Sequence, residues 1–173
     1  EHRFLRTPHC QLIDADLLDR TARGARRSAR LRKNHKFHDT DEAACHRLLN
    51  AIEPGSYVQP HRHLDPAKDE TFVALRGSFG LVLFDENGEV QDTAFLRADG
   101  DIVGVTIPHG TFHTLLSFEQ GSVFFEAKAG PYKPLTAEEK ATWAPSEGDA
   151  DVTEYLARLE ALFEPPEDTV ALA

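Results

Sequence analysis

The chain has 173 residues, of which 40% are hydrophobic and 28% are charged. This length suits one domain with a sizeable core and is short for two. Acidic residues outnumber basic ones by 29 to 19, so a nucleic acid, whose binding depends on neutralising phosphates, is not an expected partner. No apolar run approaches the roughly 20 residues that cross a bilayer, so we expect no membrane association.

The two cysteines, Cys10 and Cys45, are too few for a disulfide scaffold and lack a metal-type spacing. This cysteine usage is typical of a reducing compartment. We therefore expect a cytoplasmic protein.

The first predicted element is a helix, because apolar residues recur at every third or fourth position from Leu12 to about Arg27. Seven basic residues follow one another closely between Arg20 and Lys33 in this otherwise acidic chain. One interpretation is a solvated helix face with cations near its C-terminal end. The other is an anion site, formed if the helix folds over a barrel mouth and Arg30 and Arg32 clamp a phosphate or carboxylate.

From His46 to about Ala127, short runs rich in Val, Leu, Phe and Thr alternate with turn residues, which is typical of an all-β unit. Asn87-Gly88 predicts a two-residue hairpin loop, and Gly55 and Gly77 are expected in turns. The eight predicted strands, which suit a two-sheet jelly roll, are HRLLNAI, SYVQPHRH, ETFVALR, FGLVLF, VQDTAFL, IVGVTI, FHTLLSF and SVFFEAK.

We expect these segments to form one domain in three parts. Residues 1–45 are predicted to be a helical and basic extension packed on the barrel, and residues 46–130 the β-barrel itself. Residues 131–173 are predicted to be a C-terminal tail with a short helix, because VTEYLARLEALF carries one apolar helical stripe.

The clearest chemical pattern is His61-Arg-His63, whose two imidazoles would share one face of a strand. Chance supplies ~0.5 His-x-His matches in a chain of this composition, so the pattern needs partners. It has them in Glu70 on the next predicted strand and in His113, which ends a Pro-x-Gly-x-x-His pattern expected only ~0.03 times by chance. Three imidazoles and one carboxylate suit Mn, Fe, Co, Ni or Zn better than Mg or Ca.

These patterns resemble the two conserved motifs of the cupin superfamily. GSYVQPHRH, followed by Glu70 and then Gly77, is similar to the first motif, and PHGTFH is similar to the second. The resemblance implies that His61, His63, Glu70 and His113 are the ligands of one divalent transition metal. Six residues separate His63 from Glu70 here, where the common motif has three or four.

A narrower resemblance covers most of the chain. RKNH, HRLLNAIEPGSYVQPHRH, ETFVALRGSFGLVLFD, IPHGTFHTLLSFEQGSVFFEAKAGPY and WAPSEG are similar to the WbuC family of cupin-fold metalloproteins. This resemblance implies a one-domain jelly roll with a bound metal, sometimes encoded among surface-polysaccharide (O-antigen) genes. It implies no established reaction.

Strand alternation predicts which side chains surround the metal. Tyr57 should point to the side of His61 and Phe72 to the side of Glu70, while Lys128 shares a face with Glu126 at the end of the last strand. Each aromatic residue is alternatively a plain core residue. The remaining histidines are interpreted as surface or capping residues, with His35 and His38 as exceptions to watch.

Three functions remain open at this point. The first is a metal-dependent enzyme, such as an isomerase, acting on a small oxygenated ligand such as a sugar or sugar nucleotide. The second is an Fe(II) dioxygenase using the same ligands. The third is a non-catalytic protein that binds or senses a small molecule. Cupin sandwiches often pair through edge strands, so a homodimer is an expected arrangement.

Overall fold

The computed structural model describes residues 10–163. Within this range the chain forms two α-helices, eight strands and one 3₁₀ turn. The helices are α1 (Ala15–Arg27) and α2 (Val152–Glu160), with the 3₁₀ turn at Ala161–Phe163. The strands are β1 (Arg32–Lys36), β2 (Cys45–Ile52), β3 (Glu70–Arg76), β4 (Ser78–Phe84), β5 (Val90–Arg97), β6 (Gly104–Ile107), β7 (Phe112–Ser117) and β8 (Val123–Ala129).

The strands form two antiparallel sheets. The larger sheet has the order β1-β2-β8-β3-β6 and the smaller one β5-β4-β7. Residues 57–63 run beside β7, where His61 and His113 form an isolated bridge. Chain neighbours β3 and β4 thus lie in different sheets, and distant strands β2, β8 and β3 lie side by side, which is the connectivity of a jelly roll. The predicted mainly β fold with two terminal helices is confirmed.

Apolar side chains from both sheets fill the space between them, because every second residue of each strand faces inward. The buried members of this core are Ile52, Phe72, Ala74, Phe79, Leu81, Leu96, Ile107, Leu115 and Phe124. A cavity adjoins this core, lined by charged and polar side chains and by core residues such as Phe72 and Phe124.

The two helices cover the outer faces of the sheets. Helix α1 is capped at its N-terminus by Asp14, whose side chain accepts a hydrogen bond of 2.9 Å from Leu17 N–H. Its Leu17 and Ala25 pack with Leu49 of β2 on the outside of the larger sheet. Helix α2 packs in the same way against the smaller sheet. Neither helix is both long and apolar enough to cross a bilayer.

Several local expectations are corrected by the structure. Residues 56–63, predicted as a strand, form only isolated bridges at His61, to His113 and to Lys140. Strand β1 was not predicted, because its sequence RKNHK contains no apolar residue.

The predicted hairpin is present between β4 and β5, but its loop has three residues instead of two. Asp85 N–H donates to Glu89 O and Gly88 N–H to Asp85 O, so Asn87 precedes a left-handed Gly88 with φ of +88°. Gly55 and Gly77 lie in turns as expected, with φ of +88° and +73°.

Candidate metal centre

Two of the predicted ligands face each other across a strand pairing. His61 N–H donates to His113 O (3.1 Å) and His113 N–H donates to His61 O (2.9 Å). Such a directly opposed pair carries its side chains on the same side. The two imidazole centroids are consequently 4.7 Å apart.

Backbone carbonyls fix the orientation of both rings. His61 Nδ1 lies 2.9 Å from Gln59 O, and His113 Nδ1 lies 2.9 Å from Thr111 O. A carbonyl oxygen only accepts, so each Nδ1 carries the proton and each Nε2 of the neutral ring has a free lone pair. Metal-binding histidines are commonly oriented by this kind of hydrogen bond.

Glu70, the first residue of β3, brings the carboxylate into the same cluster. Its Oε1 lies 3.0 Å from His63 Nε2, and its Oε2 lies 2.9 Å from His113 Nε2. One potential ligand atom from each of His61, His63 and Glu70 lies within 4.8 Å of the other two. The four side chains predicted from the sequence therefore converge on one small region.

The contact between Glu70 and His113 favours a cation at this place. Glu70 Oε2 is buried and has no hydrogen-bond partner among the described residues, although His113 Nε2 is only 2.9 Å away. Both atoms present lone pairs, which repel each other unless a positive charge lies beside them. Nitrogen and carboxylate donors in this number fit a divalent transition metal.

The surroundings keep His61 neutral and the Glu70 carboxyl ionised. Burial, with a contribution from His113, lowers the pKa of His61 to about 3. Burial alone would raise the pKa of Glu70, but neighbouring groups, among them the ammonium group of Lys128, hold it well below its ordinary value. These are the protonation states that metal binding requires.

Lys128 on β8 joins Glu70 to a second buried carboxyl. Its Nζ lies 3.1 Å from Glu70 Oε1 and 3.2 Å from Glu126 Oε1. Burial raises the pKa of Glu126, whose other oxygen accepts a hydrogen bond of 2.8 Å from Asn50. Burial would lower the pKa of Lys128, but the two carboxylates outweigh it and raise the pKa above its ordinary value.

A cavity of about 500 Å³ opens beside this cluster, between the two sheets. Its wall includes the four candidate ligands, and Phe72 and Lys128 also line it. Arg30 and Arg32 line it too, but both pair with Glu147 of the same chain. Arg30 binds its two oxygens at 2.6 and 2.7 Å, and Arg32 approaches at 2.9 Å.

Two expectations about the pocket are corrected. Tyr57 does not line the cavity: its ring is buried in the cluster under α2, and its hydroxyl donates to Pro145 O at 2.7 Å. Alternation failed here because residues 57–63 are not a regular strand. Helix α1 lies on the outside of the larger sheet and not over the cavity mouth, so Arg32 reaches the cavity from β1.

Several cavity residues were not assigned to the site from the sequence, among them His38, His46 and Lys68. A signal was present for His46, because β2 alternates His46, Leu48, Asn50 and Ile52 on its inner face. His38 and Lys68 lie outside the strands, in segments where side-chain direction has no periodicity. Only the packed structure brings them to the cavity.

Comparison of the sequence with known families gives one match. Residues 13–96, slightly less than half of the chain, match the family described as "Domain of unknown function (DUF6016)". No curated protein matches the chain.

Several solved structures are similar over about three fifths of the chain. KdgF from Halomonas sp. is 20% identical, with a TM-score of 0.44 over 59% of this chain and 82% of that one. A cupin-2 domain containing protein from Shewanella frigidimarina NCIMB 400 is 18% identical, with a TM-score of 0.43 over 57% and 80%. The capsular polysaccharide assembling protein CapF from Staphylococcus aureus is 17% identical, with a TM-score of 0.48 over 62% and 30%.

Proposed function

We propose that the chain is a cupin-type metalloprotein that binds one divalent transition ion (Fe, Mn, Ni, Co or Zn) through His61, His63, Glu70 and His113. The ion would hold a small oxygenated ligand in the adjoining cavity. We further propose that the protein is an enzyme acting on that ligand.

One observation carries the proposal: bare imidazole nitrogens and a buried carboxylate oxygen face one another. Glu70 Oε2 and His113 Nε2, 2.9 Å apart, both offer lone pairs. Folding alone gains nothing from this arrangement, because repelling acceptors destabilise a protein interior. A bound cation removes the repulsion, because each of these lone pairs then points at a positive charge.

The cavity and its charged wall supply the remaining parts of such a site. Its volume, about 500 Å³, lies in the range of small-molecule sites. A bound divalent ion supplies Lewis acidity, which polarises a carbonyl or hydroxyl of a ligand. Lys128 holds Glu70 in place through its ammonium group, and Phe72 closes one wall with an apolar surface.

The finer parts of the proposal rest on the sequence resemblance to the WbuC family. From it we propose a sugar or sugar nucleotide as the ligand and a place in surface-polysaccharide (O-antigen) metabolism. From the cysteine usage we propose a cytoplasmic location, and from the edge-strand pairing of cupin sandwiches a homodimer. The alternatives are an Fe(II) dioxygenase and a non-catalytic binding protein. The metal that co-purifies separates the dioxygenase from the isomerase, since only the former needs iron and O₂.

The proposal is tested by measuring metal content. We expect about one transition ion per purified chain by elemental analysis, and none in the double variant His61→Ala/His63→Ala. His109→Ala is a matched control, because His109 lies in the Pro-x-Gly turn that precedes His113. Its backbone N–H and its ring Nδ1 each lie 2.8 Å from Asp69 Oδ1, and it contacts none of the candidate ligands through a hydrogen bond. Stoichiometric metal in the double variant would place the site elsewhere.

A ligand is sought next with the metal-loaded protein. Substitution with Mn²⁺ or Co²⁺ makes the centre paramagnetic, so protons of any small molecule bound beside it relax faster in NMR spectra. We expect this effect for sugars or sugar nucleotides with the wild type and not with the double variant. Binding without turnover of the bound molecule would favour the non-catalytic alternative.

A further inference from the structure

The cavity wall is strongly basic in a chain whose formal net charge is −10. The acidic residues that line it are Glu70 and Glu126, and both contact Lys128. The basic residues that line it are Arg30, Arg32, Lys36, Lys68, Lys128 and Lys133. A pocket with this excess of cations attracts anionic ligands.

Most of these cations already have a counter-ion within the chain. Arg30 and Arg32 pair with Glu147, and Lys36 pairs with Asp41 at 2.7 Å. Lys128 lies between its two carboxylates. These cations therefore contribute little net attraction at short range.

Lys68 differs, because it is buried without a carboxylate. The residue is 6% exposed, and its Nζ donates one hydrogen bond, of 2.6 Å, to Pro131 O. No carboxylate of residues 10–163 lies within 4.0 Å of this ammonium group. Two of its three N–H donors and its charge are left without a partner, which is costly in a protein interior.

Two histidines line the cavity beside Lys68. His38 and His46 stack with centroids 3.9 Å apart, and His46 Nε2 donates to Asp41 O at 3.0 Å. His46 packs against Gly130, the neighbour of Pro131, whose carbonyl oxygen accepts the hydrogen bond from Lys68 Nζ, so the ring lies close to this ammonium group.

His38 adds a buried donor to the same region. Its Nδ1 accepts a hydrogen bond of 3.2 Å from Arg47 N–H. In the neutral ring the proton is then on Nε2. This Nε2 is buried without a partner among the described residues, so this end of the cavity has donors in excess of acceptors.

A row of residues connects this end of the cavity to the candidate metal centre. Glu70 on β3 is paired with Lys128 on β8, which is paired with His46 on β2. Directly opposed residues share one face, and neighbouring strands lie about 4.8 Å apart. Glu70 and His46 are thus separated by about 10 Å along one wall.

We infer that the cavity binds the anionic group of its ligand, a carboxylate or a phosphate, at Lys68 beside His46, while oxygen atoms at the other end of the same ligand reach the metal centre. Only the contact between the ligand and the metal centre rests on the proposed function. Lys68 lies on the six-residue loop between His63 and Glu70, so this loop supplies the counter-charge to the ligand.

The test uses the metal-free full chain and two probes, inorganic phosphate and acetate, in calorimetric titrations. We expect at least one probe to bind the wild type and Lys68→Met to bind it about tenfold more weakly, as fits the loss of a charge-assisted contact. Lys33→Met removes an exposed lysine that does not line the cavity, and it should bind like the wild type. The stronger probe identifies the anion class.

A structural role for Lys68 predicts the opposite pattern. If the lysine only braces Pro131 O, Lys68→Met lowers the thermal midpoint and keeps the affinity for the probe, which would overturn the inference. If the ammonium group instead serves to bind an anion, Lys68→Met is at least as stable as the wild type when both are measured in the absence of the probe. In the wild type, the His46 ring signals should shift on titration with the probe, and unmoved signals would also refute the site.

Failure of this inference is distinguishable from failure of the metal site. His61→Ala/His63→Ala should retain the probe affinity, and Lys68→Met should retain the metal content of the wild type. Loss of probe binding in the double variant would place the anion at the histidines and overturn the inference. A chain that binds the probe through Lys68 but holds no metal would refute only the proposed function.

Discussion

Replacing Lys128 by Met removes the cation that lies between two buried carboxyl groups. The Nζ distances to Glu70 and Glu126 are 3.1 and 3.2 Å, and the lysine side chain is 20% exposed. At an effective dielectric constant near 20, each contact is worth about 5 kcal/mol before the cost of desolvation. Leaving buried charges unpaired costs about 3–5 kcal/mol, and partial exposure places our expectation near 3 kcal/mol.

The assay is urea unfolding of the wild type and Lys128→Met, each with and without a saturating transition metal. Without metal, the variant should lose about 3 kcal/mol of unfolding free energy. With metal, the loss should be smaller, because the ion supplies positive charge to Glu70 in place of the ammonium group.

The control for this experiment is Lys33→Met, an exposed substitution that should change the unfolding free energy by less than ~0.5 kcal/mol. If Lys128→Met left the unfolding free energy unchanged without metal, the ammonium group would not stabilise the two buried carboxyl groups by the assumed amount. If metal failed to reduce the loss, the ion would not lie beside Glu70.

Two further predictions concern stability. The pKa of Glu147 is lowered from 4.5 to about 2, mainly by the hydrogen bond from Arg30 and with a contribution from Arg32, so its stabilising contribution is complete above pH 4.5 and is lost as the pH falls toward 2. Glu147→Gln should therefore lower the free energy of unfolding by about 1 kcal/mol at pH 7, a modest loss because the pair is partly exposed, and by almost nothing near pH 2. Urea unfolding at both pH values measures this, and an equal loss at both would contradict it. Gly77→Ala should destabilise the fold by about 2–4 kcal/mol, because φ is +73° and the new Cβ would lie 2.9 Å from Ser122 Cα; an unchanged thermal midpoint would refute it.

Sequence patterns predicted most of the strands because each pattern is local. Alternating apolar residues mark the inner face of a strand wherever its partner lies, and glycines such as Gly77 mark turns that need a positive φ. The candidate ligands were found for a similar reason: His61 and His63 are two residues apart, and His113 follows a Pro-x-Gly turn. Spacing of this kind can be recognised in the sequence without knowledge of the fold.

Local patterns failed where the backbone was irregular or the strand polar. Tyr57 was expected beside His61, but its segment is bridged to β7 at a single point, so its ring turns outward under α2. Strand β1 has no apolar residue to reveal it and is held by its pairing with β2. This pairing places Arg32 at the cavity wall.

The sequence by itself determined most of the strands, the turn glycines and the residue types of the candidate metal centre, because these depend on neighbours a few positions away. The tertiary structure alone decided that Lys68, His46 and Lys128 meet at one wall, since β2, β3 and β8 become neighbours only through pairings between distant segments of the chain. It also decided which charges are neutralised: Arg30 meets Glu147 across 117 positions, and Lys68 meets no carboxylate of the described chain. Charge compensation depends on distances in space, which sequence spacing does not contain.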